Sequence, residues 1–148
     1  MMAVMIGVAL MMGLFMAIQP AINLELRRFV GSPAQAAMVS TFVSTISLGL
    51  FVFGYQRKPW PSFDAAISTP WWIWVGGVLG AIYVAGSGVL VSRLGTALAH
   101  SLVVLGQMVT ALVVDRFGWF GVASHDLSPG RVFGVALVIS GVAMIRMF

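Results

Sequence analysis

Five long, almost uncharged apolar runs constrain this chain more than any other feature. A helix crossing a hydrocarbon core of about 30 Å needs about 20 such residues. The runs span about 1–24, 34–55, 71–92, 96–114 and 129–147. Peptide groups in lipid have no water to bond, so segments of this length must be helices, and a barrel would need short alternating strands that are absent. The sequence therefore predicts an all-α, polytopic helix bundle, with residues 1–148 forming one five-helix membrane domain.

Composition agrees. Of 148 residues, 60% are apolar and 8% charged, against roughly a quarter charged in soluble domains. The first run has no basic leader and no small-residue cleavage site, and it is too long for a signal-peptide core, so it reads as a spanning helix. Ser32-Pro33 opens the second run as an N-cap followed by proline at the first helical position. The linker 56–64, which includes Lys58, Trp60 and Pro61, is polar and proline-containing and is expected to hold a short interfacial turn. Trp71, Trp72 and Trp74 mark a membrane entry at headgroup level. Arg93-Leu94-Gly95 is a tight hairpin.

The net charge of +4 does not form a nucleic-acid stripe, because the basic residues stand where apolar runs end. Alternating the loops places Arg57, Lys58, Arg116 and Arg131 on one side and Arg27, Arg28, Arg93 and Arg146 on the other. Orientation normally follows a Lys/Arg excess, and here there is none. Such a chain is expected to insert both ways and pair as an antiparallel dimer; the alternative is one topology fixed by a partner or by unequal weighting of the charges. An odd number of spans puts the termini on opposite sides.

Polar residues inside spans are costly, which makes them functional candidates. Gln19 and Asn23 are four apart and share a helix face. Pro20 cannot return the helical hydrogen bond to the carbonyl of Met16. Either this forms a kinked, ligand-facing surface or the helix end is approaching water. Ser40, Ser44 and Ser47 share a face of the second helix with Thr41 and Thr45 beside them. They serve close packing or line a polar path. Gln107 is near the middle of the fourth run, with His100 seven residues before it and Asp115 eight after. At 100° per residue the three fall within about 80° of arc, although His100 and Asp115 are roughly 22 Å apart along the axis. The stripe suits a polar-substrate or proton path; alternatively Asp115 pairs with Arg116 or caps the loop. Gly76 and Gly80, Gly130 and Gly134, with Gly141 beyond, form ridges for close helix crossing.

The sequence has no cysteine and only two histidines, His100 and His125, so neither a thiolate nor a histidine-cluster metal site is expected. No cofactor motif, nucleophile elbow, HExxH or P-loop is present, and enzyme chemistry is not expected.

The stretches IQPAINLELRR, GSPAQAAMVS, PWWIWVGGVLGAIYV, RLGTAL, GQMVTALVVDRFGWFG and LSPGRVFGVALVISGVAMI occur in the order seen in short five-helix YdcZ-type transporters. Over essentially the whole chain, the sequence resembles that family of the drug/metabolite transporter superfamily. The resemblance implies an inner-membrane half-transporter, completed by a second inverted copy or a paralogue. It carries motif roles onto Gln19, Asn23, Gln107 and Asp115. The second helix departs from the family's Ser-Phe-x-x-Gly-Thr, with Thr41 and Ser44 in place of phenylalanine and glycine. Related four-helix exporters carry a glutamate within the first helix; Gln19 is the nearest counterpart here, and Glu25 lies at the helix end. A neutral amide exchanges no proton near pH 7, so a polar neutral or weakly charged metabolite is the expected substrate. The expected substrate contacts are Gln19, Asn23, Gln107, Ser40 and Ser44, with His100 and Asp115 available for proton or ion coupling. A passive channel, or an accessory subunit of a heterodimeric transporter, is the alternative.

Overall fold

The computed structural model describes residues 1–57, 59 and 62–148; Lys58, Trp60 and Pro61 of the linker lie outside the described residues. Among those described there are only helices and no strands. The helices are α1 (Met2–Val30), α2 (Pro33–Gly49), α3 (Phe63–Ser68), α4 (Val75–Leu94), α5 (Thr96–Phe117) and α6 (Pro129–Met147). Five segments are long and apolar enough to cross a membrane: Met2–Val30, Pro33–Tyr55, Trp71–Leu94, Thr96–Phe117 and Pro129–Met147. This is the predicted all-α class.

Several helix ends differ from the apolar runs for a common reason: hydrogen bonding continues past the last apolar residue until something stops it. Thus α1 extends to Val30, because nothing before Gly31 breaks it. Glu25 and Arg28 pair along its surface at 3.1 Å, and Arg27 and Arg28 complement the negative helix end. Gly31 then turns the chain at φ 96°. In α2, Ser32 accepts from the Gln35 N–H at 3.2 Å, as an N-cap should. The second span does not remain α throughout: Leu50–Tyr55 is a π-helix, with Phe51 and Tyr55 stacked at 5.4 Å. The tryptophan cluster enters as a 3-10 turn, Trp71–Trp74. The short helix α3 begins at Phe63, at the end of the linker, and runs beyond it.

The chain divides into two compact units, Met1–Ser92 and Arg93–Phe148. Within the first, α1 packs on α2; the buried residues of these two helices are Pro20, Asn23, Ala36 and Ala37. The two alanines let the helix backbones approach closely. Within the second, α5 packs on α6, with Ala99, Val135 and Val142 buried. In both units the large apolar side chains of the spans are mostly exposed, and lipid is the solvent that suits them.

The α5–α6 connection is shaped by its glycines. Gly118 ends α5 in the left-handed region at φ 62°. A Cβ there would lie 3.3 Å from the Val122 carbonyl oxygen and 3.4 Å from Ser124 Cβ. Gly118→Ala is expected to destabilise the protein by about 1–2 kcal/mol. The check is a lowered unfolding midpoint in detergent, and an unchanged midpoint would contradict this account of the loop.

Candidate functional site

Most hydroxyls in the spans are already engaged. Thr41 donates to the Ala37 carbonyl at 2.6 Å, Ser44 to Ser40 at 2.9 Å, Thr45 to Thr41 at 2.9 Å and Ser47 to Val43 at 2.9 Å. The side chains of Ser87, Ser92, Ser101 and Ser140 bond back in the same way. This is how a helix in lipid satisfies a short polar side chain. It leaves these oxygens only as acceptors. Of the predicted pair on α2, Ser44 is therefore engaged as a donor, while Ser40 makes no side-chain bond to a carbonyl.

The amides behave differently. Gln19 is half-buried on α1, and Asn23 is 5% exposed. The Asn23 Nδ2 is a buried donor with no hydrogen-bond partner among the described residues. Neither residue is at the end of α1, since Asn23 stands seven residues before Val30. The helix runs unbroken through Pro20, whose ring is fully buried, and Met16 keeps an interaction partner.

In the second unit, Gln107 and Asp115 line one open cleft of about 500 Å³, together with Gly106, Thr110, Ala111, Val114 and Val122. Gln107 is exposed at the middle of α5, with no hydrogen bond to its amide among the described residues. His100 lines a separate cleft of about 340 Å³ with Ser101, Val104, Val138, Gly141, Val142 and Ile145. Its Nδ1 is 2.9 Å from the Thr96 carbonyl oxygen. The stripe expected on α5 is thus divided between two clefts.

The pairing of Asp115 with Arg116, one of the alternatives the sequence left open, is not made. The Arg131 Nη1 reaches the Asp115 Oδ2 at 3.3 Å, while Arg116 pairs with Asp126. The reason is geometric: adjacent residues on a helix point about 100° apart, whereas the start of α6 meets the end of α5. Ser128 accepts from the Arg131 N–H at 3.3 Å as the cap of α6, and the His125 N–H donates to the Asp115 backbone oxygen at 2.8 Å. Sequence reading had taken Arg131 for flanking anchorage; a contact between residues sixteen apart left no local signal. Both side chains are about one-third exposed, so the pair contributes at most ~1 kcal/mol.

The predicted packing glycines have open space around them. A Cβ at Gly76, Gly80, Gly134 or Gly141 would meet nothing within 4 Å, and one at Gly130 only the Ser128 Oγ at 4.0 Å. No group of three or more His, Asp or Glu side chains is placed to hold a metal among the described residues.

A family model described as "Putative inner membrane exporter, YdcZ" matches residues 4–144. The chain belongs to this family, as its motifs indicated, and is a multi-pass inner-membrane protein. The family is one of membrane exporters, which are transporters and not enzymes. No curated protein and no solved structure matches the chain.

An unmade buried hydrogen bond costs about 1–3 kcal/mol. Asn23→Leu, which removes the unpaired Nδ2, is therefore expected to raise the unfolding midpoint of the ligand-free protein in detergent. A lowered midpoint would mean that the amide is satisfied in the folded protein.

Proposed function

We propose that this member of the YdcZ family is a secondary transporter of the drug/metabolite type. It moves a polar small molecule by alternating access and works as an antiparallel dimer of two copies. The observation that carries this reading is Gln107: an amide with no partner among the described residues, at the middle of a spanning helix and open to a cleft. A polar group at membrane depth is retained where it faces a pathway or a ligand.

Gln107 and Asn23 are the principal substrate contacts, assisted by Gln19, Ser40 and Ser44. Asn23 brings a donor with nothing to bond in the resting chain, and the serine oxygens accept. His100 and Asp115 serve proton or ion coupling. Two copies in opposite orientation place identical gates on opposite sides, so exchanging the conformations of the two copies alternates access. The balanced basic residues at the helix ends support insertion both ways. The glycine ridges, with no neighbour within 4 Å at Gly76, Gly80 and Gly134, are surfaces on which the second copy docks.

In proteoliposomes, Gln107→Ala is expected to weaken saturable counterflow of the transported solute about tenfold, the loss of one or two ligand hydrogen bonds. Unchanged flux and affinity would remove Gln107 from the site, and conductance far above carrier turnover would make the protein a channel. The absence of native cysteine allows a direct test of orientation. Gln56→Cys, exposed beside the second span, is expected to react with impermeant reagent from both sides of intact cells and inverted vesicles. One-sided labelling would rule out dual topology.

A further inference from the structure

We propose that the α5 cleft binds a zwitterionic small molecule, one bearing both an ammonium and a carboxylate group, by opening the Asp115–Arg131 ion pair. The inference rests on the transporter reading above and names the substrate class for its Gln107 cleft, making Asp115 a substrate contact and leaving coupling to His100.

The cleft is a polar ladder. Gln107 stands at mid-span, Thr110 one turn further, and Asp115 in the last turn of α5. The rise from Gln107 to Asp115 is about 12 Å, so the cleft leads from the helix end to the depth of the bilayer middle. Its volume of about 500 Å³ lies within the ordinary range for small-molecule sites, about 300–1,000 Å³.

The ladder's bonding capacity is largely unspent. Thr41, Ser44, Thr45, Ser47, Ser101 and Ser140 turn their hydroxyls back onto their own helices. Thr110, in the same helical setting, does not, and its hydroxyl is left for whatever occupies the cleft. The Gln107 amide likewise makes no side-chain bond among the described residues. Asp115 uses one carboxylate oxygen, and Arg131 spends one side-chain N–H on it, out of the five a guanidinium carries.

Charge then selects the ligand. Asp115 is the charged residue of the lining, which is otherwise apolar except for Gln107 and Thr110; Arg131, from the first turns of α6, reaches it from beside the cleft and makes the two together neutral. A purely cationic or anionic ligand would pair with one of the two only by taking it from the other, and so would gain no ion pair. A zwitterion replaces one ion pair with two, ammonium on Asp115 and carboxylate on Arg131, and keeps the site neutral. The existing pair is easily opened because both side chains are about one-third exposed and such pairs are weak. The backbone need not move with it: the Asp115 carbonyl is held by the His125 N–H at 2.8 Å.

The test uses the full-length protein in detergent and three matched probe mixtures: neutral α-amino acids, the amines left by their decarboxylation, and the carboxylates left by removing their amino groups. The amino-acid mixture alone is expected to raise the melting temperature of the wild type. Arg131→Gln is expected to shift preference at least tenfold toward the amines, and Asp115→Asn at least tenfold toward the carboxylates. No stabilisation of the wild type by the amino acids, or equal stabilisation by either singly charged mixture, overturns the proposal without recourse to a variant. The transporter reading is judged separately, by the effect of Gln107→Ala on counterflow of a whole metabolite extract. Counterflow that depends on Gln107 with no amino-acid response overturns the substrate class alone.

Discussion

A peptide group surrounded by hydrocarbon has only its own chain to bond with, and the rest of this protein follows from that requirement. It makes the five spans helical, because only a helix closes its hydrogen bonds within one segment. It also explains why α1 tolerates Pro20, whose ring is buried while the helix continues past it, and why the hydroxyls of α2 fold back onto the preceding turn. Charged groups are pushed to the ends, where they pair with one another or complement helix dipoles.

Against that background, the polar atoms that escape the rule are the ones on which the proposed substrate site is built. Among the described residues, Asn23 Nδ2 is buried without a hydrogen-bond partner, and the side chains of Gln107 and Thr110 line a cleft without one. In water such groups would be ordinary. At membrane depth each is a standing cost that a soluble solvent shell cannot relieve, and a passing polar ligand can. The same chemistry that forbids loose polar groups in lipid makes the few that remain suitable for transport.

Much of the architecture was legible because its cause is local. The helix class and the five spans follow from apolar run length alone, and Ser32 capped α2 as its type and position required. Ends were less legible: Leu24 closes an apolar run, but the helix ends only where Gly31 adopts a conformation that other residues avoid. The π segment left no pattern in Leu50–Tyr55. The largest omission concerned Asp115. Its neighbour Arg116 was the obvious partner in sequence, yet the real partner, Arg131, is supplied by the next helix. Periodicity placed His100, Gln107 and Asp115 on one face; it could not show that the packing of α6 beside His100 and the loop residue Val122 beside Asp115 would make two clefts of it.

The π-helix in the second span carries a consequence of its own. Ser40, Ser44 and Ser47 continue at α-helical spacing toward Phe51 and Tyr55, and an unbroken α-helix would keep all five on one side. Closing wider, i→i+5 rings over Leu50–Tyr55 accommodates an extra residue and turns everything beyond it. The hydroxyl stripe ends before the dislocation, and the stacked rings of Phe51 and Tyr55 lie within it. In hereditary terms this is a register fault equivalent to a one-residue insertion, tolerated because the backbone carbonyls can still find donors. It lets the two halves of a single span address different surroundings.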